Sequence, residues 1–187
     1  RVPGPVNLNR LSAIYDLVGH SDLKFPPFAP APLPNATAAT DLFAQIREGD
    51  LLLHQPFQSF APVMDFLRLA ASDPTVLAIK QTLYRTGSNS PVVDALVAAS
   101  QAGKDVTAII ELRARFDEEA NIALSNRLQE AGVHVMHGVV GYKTHAKMIL
   151  VVRREETGIR RYAHLGTGNY HQTTARAYTD YGLLTCD

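Results

Sequence analysis

Apolar runs and amphipathic stretches alternate along the chain from residue 41 onward. The predicted strands are "LLLHQPF", "TVLAIKQTLYR", "KDVTAIIEL" and "VHVMHG", and the predicted helices are "DLFAQIREGD", "APVMDFLRLAAS", "PVVDALVAASQAG" and "DEEANIALSNRLQEAG". Pro91 suits the first turn of its helix, and Gly103 suits the position just after that helix ends. Strands that alternate with helices of this length predict an α/β fold with a mixed, mostly parallel sheet flanked by helices.

The last third of the chain adds antiparallel pairing. The stretch "KMILVVRREETGIRRYAHLG" predicts a hairpin that turns at Glu156, Thr157 and Gly158, and "YGLLT" predicts one more strand. Because a hairpin joins neighbouring strands in opposite directions, we expect a mixed sheet.

The first 40 residues differ from this pattern. A helix is predicted from about Asn7 to Leu17, and five prolines between Pro26 and Pro34 predict an extended connector. We therefore interpret residues 1–40 as the tail of a preceding domain with its connector, and residues 41–187 as one catalytic domain. The alternative is an N-terminal arm that wraps around the main body.

Composition indicates a packed protein and narrows its partners. Of 187 residues, 46% are hydrophobic and 19% are charged, and the formal net charge is zero, so no general nucleic-acid or membrane surface is implied. The single cysteine, Cys186, cannot form an internal disulfide, which favours a cytoplasmic location. The chain begins with arginine rather than methionine, and we interpret it as a piece of a longer protein.

Two arginines follow predicted parallel strands and are candidates for phosphate binding. Arg85 follows the strand in "TVLAIKQTLYR", and Arg115 follows the strand in "KDVTAIIEL". Parallel strands end at the same edge of a sheet, where ligands bind in α/β proteins, and guanidinium groups bind phosphate oxygens bidentately. The alternative for each is a surface arginine, or an ion pair with Asp117 or Glu118.

His145 and Lys147 lie two residues apart at the head of the apolar run "GYKTHAKMILVV". In a strand, both side chains would lie on one face. A lysine charge beside the imidazole favours the neutral ring, which leaves a ring nitrogen available as a nucleophile toward phosphorus. A lone histidine more often has a structural role, but the lysine on the same face favours a catalytic pair.

The stretch "AHLGTGNYHQTTARAYTD" contributes a third candidate element. Gly166 and Gly168 permit close backbone approach, and Asn169 could cap a helix whose free N–H groups would face an anion. On composition alone, Tyr178 is an interface tyrosine. His54 and the pair His134 and His137 are predicted to be structural, because no cysteine or carboxylate cluster completes a zinc site.

These motifs together resemble one enzyme family. Several stretches of the chain are similar to the long-form polyphosphate kinases. The longest runs from "LAIKQTLYRTGSNSPVVDALVAASQAG" to "GVHV", and the others are "YKTHAKM", "AHLGTGNYHQTTARAYTDYGL", "VPGPVNLNRL" and "LLLHQPFQSF". The resemblance implies a phospholipase D-like α/β fold and the first of two catalytic domains. It also implies reversible transfer of the terminal phosphate of ATP to inorganic polyphosphate.

The resemblance assigns roles to individual residues. It implies that His145 becomes phosphorylated, that Lys147 completes the catalytic pair, and that Tyr178 binds ATP. It places Arg85 and Arg115 at a Mg²⁺ site. Because a guanidinium group has no lone pair for a metal, these arginines would act through phosphate oxygens or water. The implied partners are ATP and polyphosphate but no nucleic acid, and the longer protein is implied to be a homo-oligomer, with membrane association left open.

Two other functions remain open at this level. One is a phosphodiesterase or nuclease of the phospholipase D superfamily, which would use the same histidine. The other is a polyanion-binding module, if the chain acts in isolation. Val152 also stands where the wider superfamily often has an aspartate, so the partner that orients the histidine must come from elsewhere.

Overall fold

The computed structural model describes residues 3–4, 7–33, 41–84, 86, 90–111, 118–138 and 141–187. Arg85 and Arg115 lie outside the described residues, so their predicted roles as phosphate-binding groups are not addressed by the structure. Their strands are described up to Leu83 and Ile110 respectively.

The described residues form seven strands and five α-helices. The strands are β1 (Leu51–Gln55), β2 (Val76–Leu83), β3 (Asp105–Ile110), β4 (His134–His137), β5 (Lys147–Glu155), β6 (Gly158–Gly166) and β7 (Asp180–Thr185). The helices are α1 (Ala13–Leu17), α2 (Leu42–Glu48), α3 (Ala61–Ser72), α4 (Pro91–Gln101) and α5 (Glu118–Glu130), with short 3-10 helices at Leu8–Ser12, Ser21–Leu23 and Thr174–Arg176. Each strand and helix predicted from residue 41 onward is present, except the helix expected after Asn169, where the structure has only the 3-10 helix at Thr174–Arg176.

The strands form one mixed sheet in the order β1-β7-β6-β5-β2-β3-β4. Among the described residues, only the pairs β2–β3 and β3–β4 are parallel, and the other four neighbouring pairs are antiparallel. The prediction of a mixed sheet is confirmed, but antiparallel pairing predominates rather than parallel pairing. Parallel neighbours need a crossover, which α4 and α5 supply for two pairs. The tight hairpin makes β5 and β6 antiparallel, and β2–β5 and β1–β7 bring together strands that are far apart in the chain.

Local sequence explains where the helices begin and end. The hydroxyl of Ser90 accepts a hydrogen bond from the N–H of Val92, and Pro91 occupies the first turn of α4. Gly103 follows that helix with φ +82°, a left-handed conformation that glycine adopts without steric cost. The hairpin turns at Glu156 and Thr157, between β5 and β6, as predicted.

The core lies between the sheet and its helices. Phe66 and Leu67 of α3, Leu96 of α4, Ile79 of β2 and Val151 of β5 are fully buried. Removing such apolar side chains from water supplies the main stabilisation of the fold. Within the described residues, no helix combines the length and the apolar character that crossing a membrane requires.

Residues near the end of the described N-terminal segment contact the main body. The N–H of Ala31 donates to the carbonyl of Phe57, the N–H of Ser59 donates to the carbonyl of Ala31, both at 2.8 Å, and Leu33 is buried in the core. Earlier apolar side chains remain exposed, including Leu17 and Phe25. The end of the predicted connector therefore packs against the turn that follows β1.

Candidate active site

The candidate site lies at one end of the strands, where β2 and β3 finish and β5 begins. Leu83, at the end of β2, lies opposite Ile110, at the end of β3. Lys147, at the start of β5, lies opposite Gly166, which in turn lies opposite Gly182 of β7. Two parallel strands therefore finish beside each other, close to the His145–Lys147 segment.

His145 and Lys147 are in direct contact. Strand β5 begins at Lys147, so His145 lies just before the strand rather than in it. The Nζ atom of Lys147 lies 3.0 Å from both ring nitrogens of His145 and donates to the carbonyl of His145 at 2.6 Å. An ammonium in the ring plane at equal distance from both nitrogens would overlap the carbon between them. The ammonium must therefore lie over the face of the imidazole.

This arrangement has a chemical consequence. The lone pair of an imidazole nitrogen lies in the ring plane, so a cation over the face does not occupy it. A positive charge at this distance also disfavours a second positive charge on the ring, which favours neutral imidazole. An imidazole next to a fixed cation, on a residue that is exposed to solvent, is suited to attack on an anionic phosphoryl group.

Lys147 is buried although it is charged. Its residue surface is 6% exposed, and burial lowers its pKa, while the charge of Lys143 lowers it further and the charge of Asp180 acts in the opposite direction. Lysine is seldom buried without a partner. The position of Lys147 therefore carries an energetic cost that the contact with His145 does not remove.

Three residues at or just after the ends of β2 and β3 hold this segment, two through its backbone and one through the His145 ring. The hydroxyl of Thr82 donates to the carbonyl of Ala146 at 2.7 Å and accepts from the N–H of Met148 at 2.9 Å. A carboxylate oxygen of Glu111 accepts from the N–H of Thr144 at 2.8 Å. The ring of Tyr84 packs edge-on against the ring of His145, with centroids 5.1 Å apart. The segment 144–148 is thus attached to its neighbours on both sides of His145.

The glycine-rich loop after β6 differs from its prediction. A Cβ atom on Gly168 would lie 2.5 Å from Oδ2 of Asp180, and one on Gly166 would lie 3.0 Å from Cε1 of His164. The close approach that these glycines permit is therefore made by side chains of the protein itself. Asn169 does not cap a helix: the following element is only the 3-10 helix at Thr174–Arg176, which is preceded by Thr173 and has no side-chain cap.

A buried histidine that the sequence reasoning missed lies beside this loop. Nδ1 of His164 is 2.9 Å from the hydroxyl of Tyr170, whereas its Nε2 is buried without a hydrogen-bond partner and faces Gly182. Burial lowers the pKa of His164 to about 4, so the ring is neutral at pH 7. The alternation of β6 places His164 on the same face as buried Tyr162, and this pattern could have identified it.

The remaining candidates lie apart from this contact network or give no sign of a ligand. Tyr178 is 65% exposed after the loop. His134 and His137 are exposed on edge strand β4, and His54 stacks on Tyr181 with ring centroids 4.5 Å apart. In the described ranges, no group of three histidine, cysteine, aspartate or glutamate residues is placed to hold a metal ion.

Comparison with protein families places these features in context. A family model described as "Polyphosphate kinase C-terminal domain 1" matches residues 41–187. The whole chain is 60% identical to "Polyphosphate kinase" of Xylella fastidiosa (strain 9a5c) and 60% identical to "Polyphosphate kinase" of Pseudomonas aeruginosa (strain PAO1). All of this chain is covered, but only 26% and 27% of those proteins, so the chain spans about a quarter of these curated relatives.

Solved structures agree with the family match. The crystal structure of a polyphosphate kinase from Porphyromonas gingivalis superposes with a TM-score of 0.81 at 35% identity, over 100% of this chain and 31% of that one. Nuc, a phospholipase D family member from Salmonella typhimurium, superposes with a TM-score of 0.55 at 18% identity, over 74% of this chain and 83% of that one. The second likeness concerns the fold alone, and it confirms the predicted phospholipase D-like α/β fold.

Proposed function

Because the chain belongs to the polyphosphate kinase family, we propose that it contributes a catalytic domain to a longer protein that makes polyphosphate. That protein reversibly transfers the terminal phosphoryl group of ATP to inorganic polyphosphate through a phosphohistidine on His145. The observation that supports this proposal is the contact between the Lys147 ammonium and the face of the exposed imidazole. Residues 41–187 would be the first of two phospholipase D-like domains.

The reaction proceeds in two displacements. A ring nitrogen of His145 attacks the γ-phosphorus of ATP, the bond from that phosphorus to the bridging oxygen breaks, and the electron pair leaves with ADP. In the second step, a terminal oxygen of polyphosphate attacks the same phosphorus, and the electron pair of the nitrogen–phosphorus bond returns to the imidazole. Lys147 stabilises negative charge on the transferring group in both steps.

The other candidate residues would bind the nucleotide and the phosphate chain. We propose that Arg85 and Arg115 bind phosphate oxygens, that Tyr178 contacts ATP, and that the loop with Gly166, Gly168 and Asn169 borders the phosphate site. In the part of the chain that the structure describes, no group of three metal-ligating side chains is placed to hold an ion. Mg²⁺ would reach the site as part of the nucleotide substrate, ligated by phosphate oxygens.

Radiolabelled ATP tests this function in the longer protein. Incubation with ATP labelled at the γ-phosphate should leave a protein-bound label that is stable in base and labile in acid, and His145→Ala should abolish it. His137→Ala, which changes an exposed histidine on β4, should label normally. Labelling that survives His145→Ala would refute the assignment, and hydrolysis of a phosphodiester without labelling by ATP would favour the phosphodiesterase alternative.

The isolated chain provides a second test. We expect the 187 residues to fold on their own but to synthesise little or no polyphosphate, because a phospholipase D-like site needs two halves that together exclude water. We expect the isolated chain to keep binding polyphosphate. This binding should be sensitive to salt and should weaken in Arg85→Ala or Arg115→Ala. Turnover comparable to that of the longer protein would refute the need for a second half.

A further inference from the structure

The ring of Tyr84 contacts the side chains of His145, Lys143 and Lys147 in the candidate site. Tyr84 follows β2 directly and is 9% exposed. Its ring centroid lies 5.1 Å from that of His145 at an interplanar angle of 74°. The Nζ atoms of Lys143 and Lys147 each lie 5.3 Å from the same centroid. One aromatic ring therefore contacts the proposed nucleophile and two cations.

An aromatic ring holds a cation differently from a carboxylate. The negative face of the ring attracts an ammonium within about 6 Å and contributes roughly 0.5–2 kcal/mol, but the ring carries no net charge. Lys143 and Lys147 are thus stabilised near the imidazole without being neutralised. A carboxylate in the place of Tyr84 would hold them as well, but it would repel an incoming phosphoryl group.

Two neighbouring residues hold the backbone of the same segment. Thr82 and Glu111 bind backbone groups of Ala146, Met148 and Thr144. These hydrogen bonds fix the path of the chain, whereas the ring of Tyr84 contacts side chains. Tyr84 is the described aromatic residue whose ring reaches these side chains.

We infer that Tyr84 is a positioning residue for phosphoryl transfer: its ring orients the imidazole of His145 and holds the ammonium groups of Lys143 and Lys147 beside it. This inference rests on the proposed function. The edge-on contact restricts rotation of the imidazole, so that one nitrogen is kept toward the phosphorus. The two cations, held by the ring face, retain their attraction for the phosphate oxygens.

Fluorination of the ring tests this role without changing its shape. In the longer protein, Tyr84→Phe is the reference, and Tyr84 is then replaced by phenylalanine with one, two or three ring fluorines. Each fluorine weakens the negative face of the ring, so the rate of His145 phosphorylation should fall stepwise, by about tenfold over the series. The thermal midpoint should stay within a degree or two, since the volume is nearly constant. The KM for ATP should change less than kcat.

Substitution by natural residues gives a second measurement. Tyr84→Phe should retain activity within about threefold, and Tyr84→Leu should lose about tenfold or more and shift the imidazole NMR signals of His145, because the aromatic ring current is gone. Tyr142→Leu removes an exposed tyrosine two residues before Thr144 and should change neither quantity. Normal imidazole signals and normal turnover in Tyr84→Leu would overturn the inference.

The outcomes distinguish failure of the Tyr84 role from failure of the proposed function. A flat rate across the fluorine series, in a protein whose His145 becomes labelled, would refute the role of Tyr84 and leave the proposed function intact. A protein with natural Tyr84 that forms no phosphohistidine would refute the proposed function itself, and the positioning role with it.

Discussion

Strand β5 carries a charged cluster at each end, and the two clusters differ in how their charges are arranged. At its C-terminal end, Glu155 accepts hydrogen bonds from Arg47 and Arg160 at 3.1 Å and from Arg153 at 2.9 Å, and the hydroxyl of Tyr162 also donates to it. Burial by itself would raise the pKa of Glu155, but the hydrogen bonds from Tyr162, Arg153 and Arg47 outweigh it and lower that pKa. In this cluster, the carboxylate is paired with arginines of opposite charge.

At the N-terminal end of β5, two lysines lie beside an imidazole and an aromatic ring. Lys147 contacts the His145 ring and Tyr84, and Lys143 contacts Tyr84. Neither lysine forms a salt bridge with a carboxylate in the described part of the chain, although the charge of Asp180 acts on Lys147. The Glu155 cluster stabilises the fold, whereas burial of the Lys147 ammonium costs stability, and the two neighbouring cations are suited to binding an anion.

Neutralising Lys147 should have the largest effect and should separate activity from stability. Lys147→Met is expected to slow His145 phosphorylation by about 100- to 1,000-fold, because a preorganised cation for the transferring phosphoryl group is lost. The thermal midpoint should be unchanged or higher, since a buried charge is removed. Labelling rates and thermal unfolding measure the two effects.

The pH dependence of stability sharpens the Lys147 prediction. Because burial lowers the pKa of Lys147, the unfolded chain binds more protons at this site in the window below 10.5. Stability should therefore rise with pH through that window in the parent, and this rise should be smaller in Lys147→Met. Lys80→Met, at an exposed position on β2, is the control. Unaltered labelling together with a lower thermal midpoint would show that Lys147 is structural.

Breaking the opposite cluster should produce the reverse pattern. Glu155→Gln is expected to lower the free energy of unfolding by about 3 kcal/mol, because three arginines lose their shared buried counter-charge. In the parent, this stabilisation is present above pH 4.5 and is lost as the pH falls through the lower pKa of the folded state. Urea unfolding of the 187-residue chain measures the loss.

The control for this substitution is its exposed neighbour in the turn. Glu156→Gln should change the free energy of unfolding by less than about 0.5 kcal/mol. Folded Glu155→Gln in the longer protein should still phosphorylate His145 at the normal rate. Loss of labelling without loss of stability would contradict the contrast between the two ends of β5.

Buried His164 should make stability fall in mild acid. Its pKa is about 4 in the folded chain and near 6.5 when unfolded, so between these values the unfolded state binds more protons. Stability should decrease by about 2 kcal/mol between pH 7 and pH 5 from this group. His164→Leu should remove that share of the decrease, and His137→Leu on exposed β4 should not. An identical pH profile in both variants would contradict the burial of His164.

Substitution of the loop glycine Gly168 should have the smallest effect on the free energy of unfolding. Gly168→Ala places a methyl group where the carboxylate of Asp180 now lies, so Asp180 must move, at a cost of about 1 kcal/mol. Gly49→Ala, where a Cβ meets no atom within 4 Å, is the matched control. Equal unfolding midpoints for the two variants would show that the Asp180 side chain is not confined.

The hairpin and the helices were predictable because their signals are local. The turn glycine Gly158, the N-terminal Pro91 and the apolar alternation of β5 depend only on neighbouring residues. The predominance of antiparallel pairing was not predicted, because strand order depends on which strands meet across the sheet. The pattern of a single strand carries no information on its partner's direction.

The site was predictable only in part. The pairing of His145 with Lys147 followed from their spacing, whereas the contribution of Tyr84 depends on β2 and β5 being neighbours although they are far apart in sequence. Glycine spacing alone does not show that the side chains of Asp180 and His164 lie against Gly168 and Gly166. The contact of this loop with phosphate stays a prediction. Side chains brought together from distant strands remain hidden until the sheet order is known.

Rapid-quench kinetics of the longer protein test His145 as a phosphoryl carrier most directly. After mixing with labelled ATP, the label should appear on the peptide that contains His145 and then pass into added polyphosphate, at rates at least equal to turnover. Absence of label at His145, or a label that leaves more slowly than the enzyme turns over, would contradict a phosphohistidine on the path of transfer.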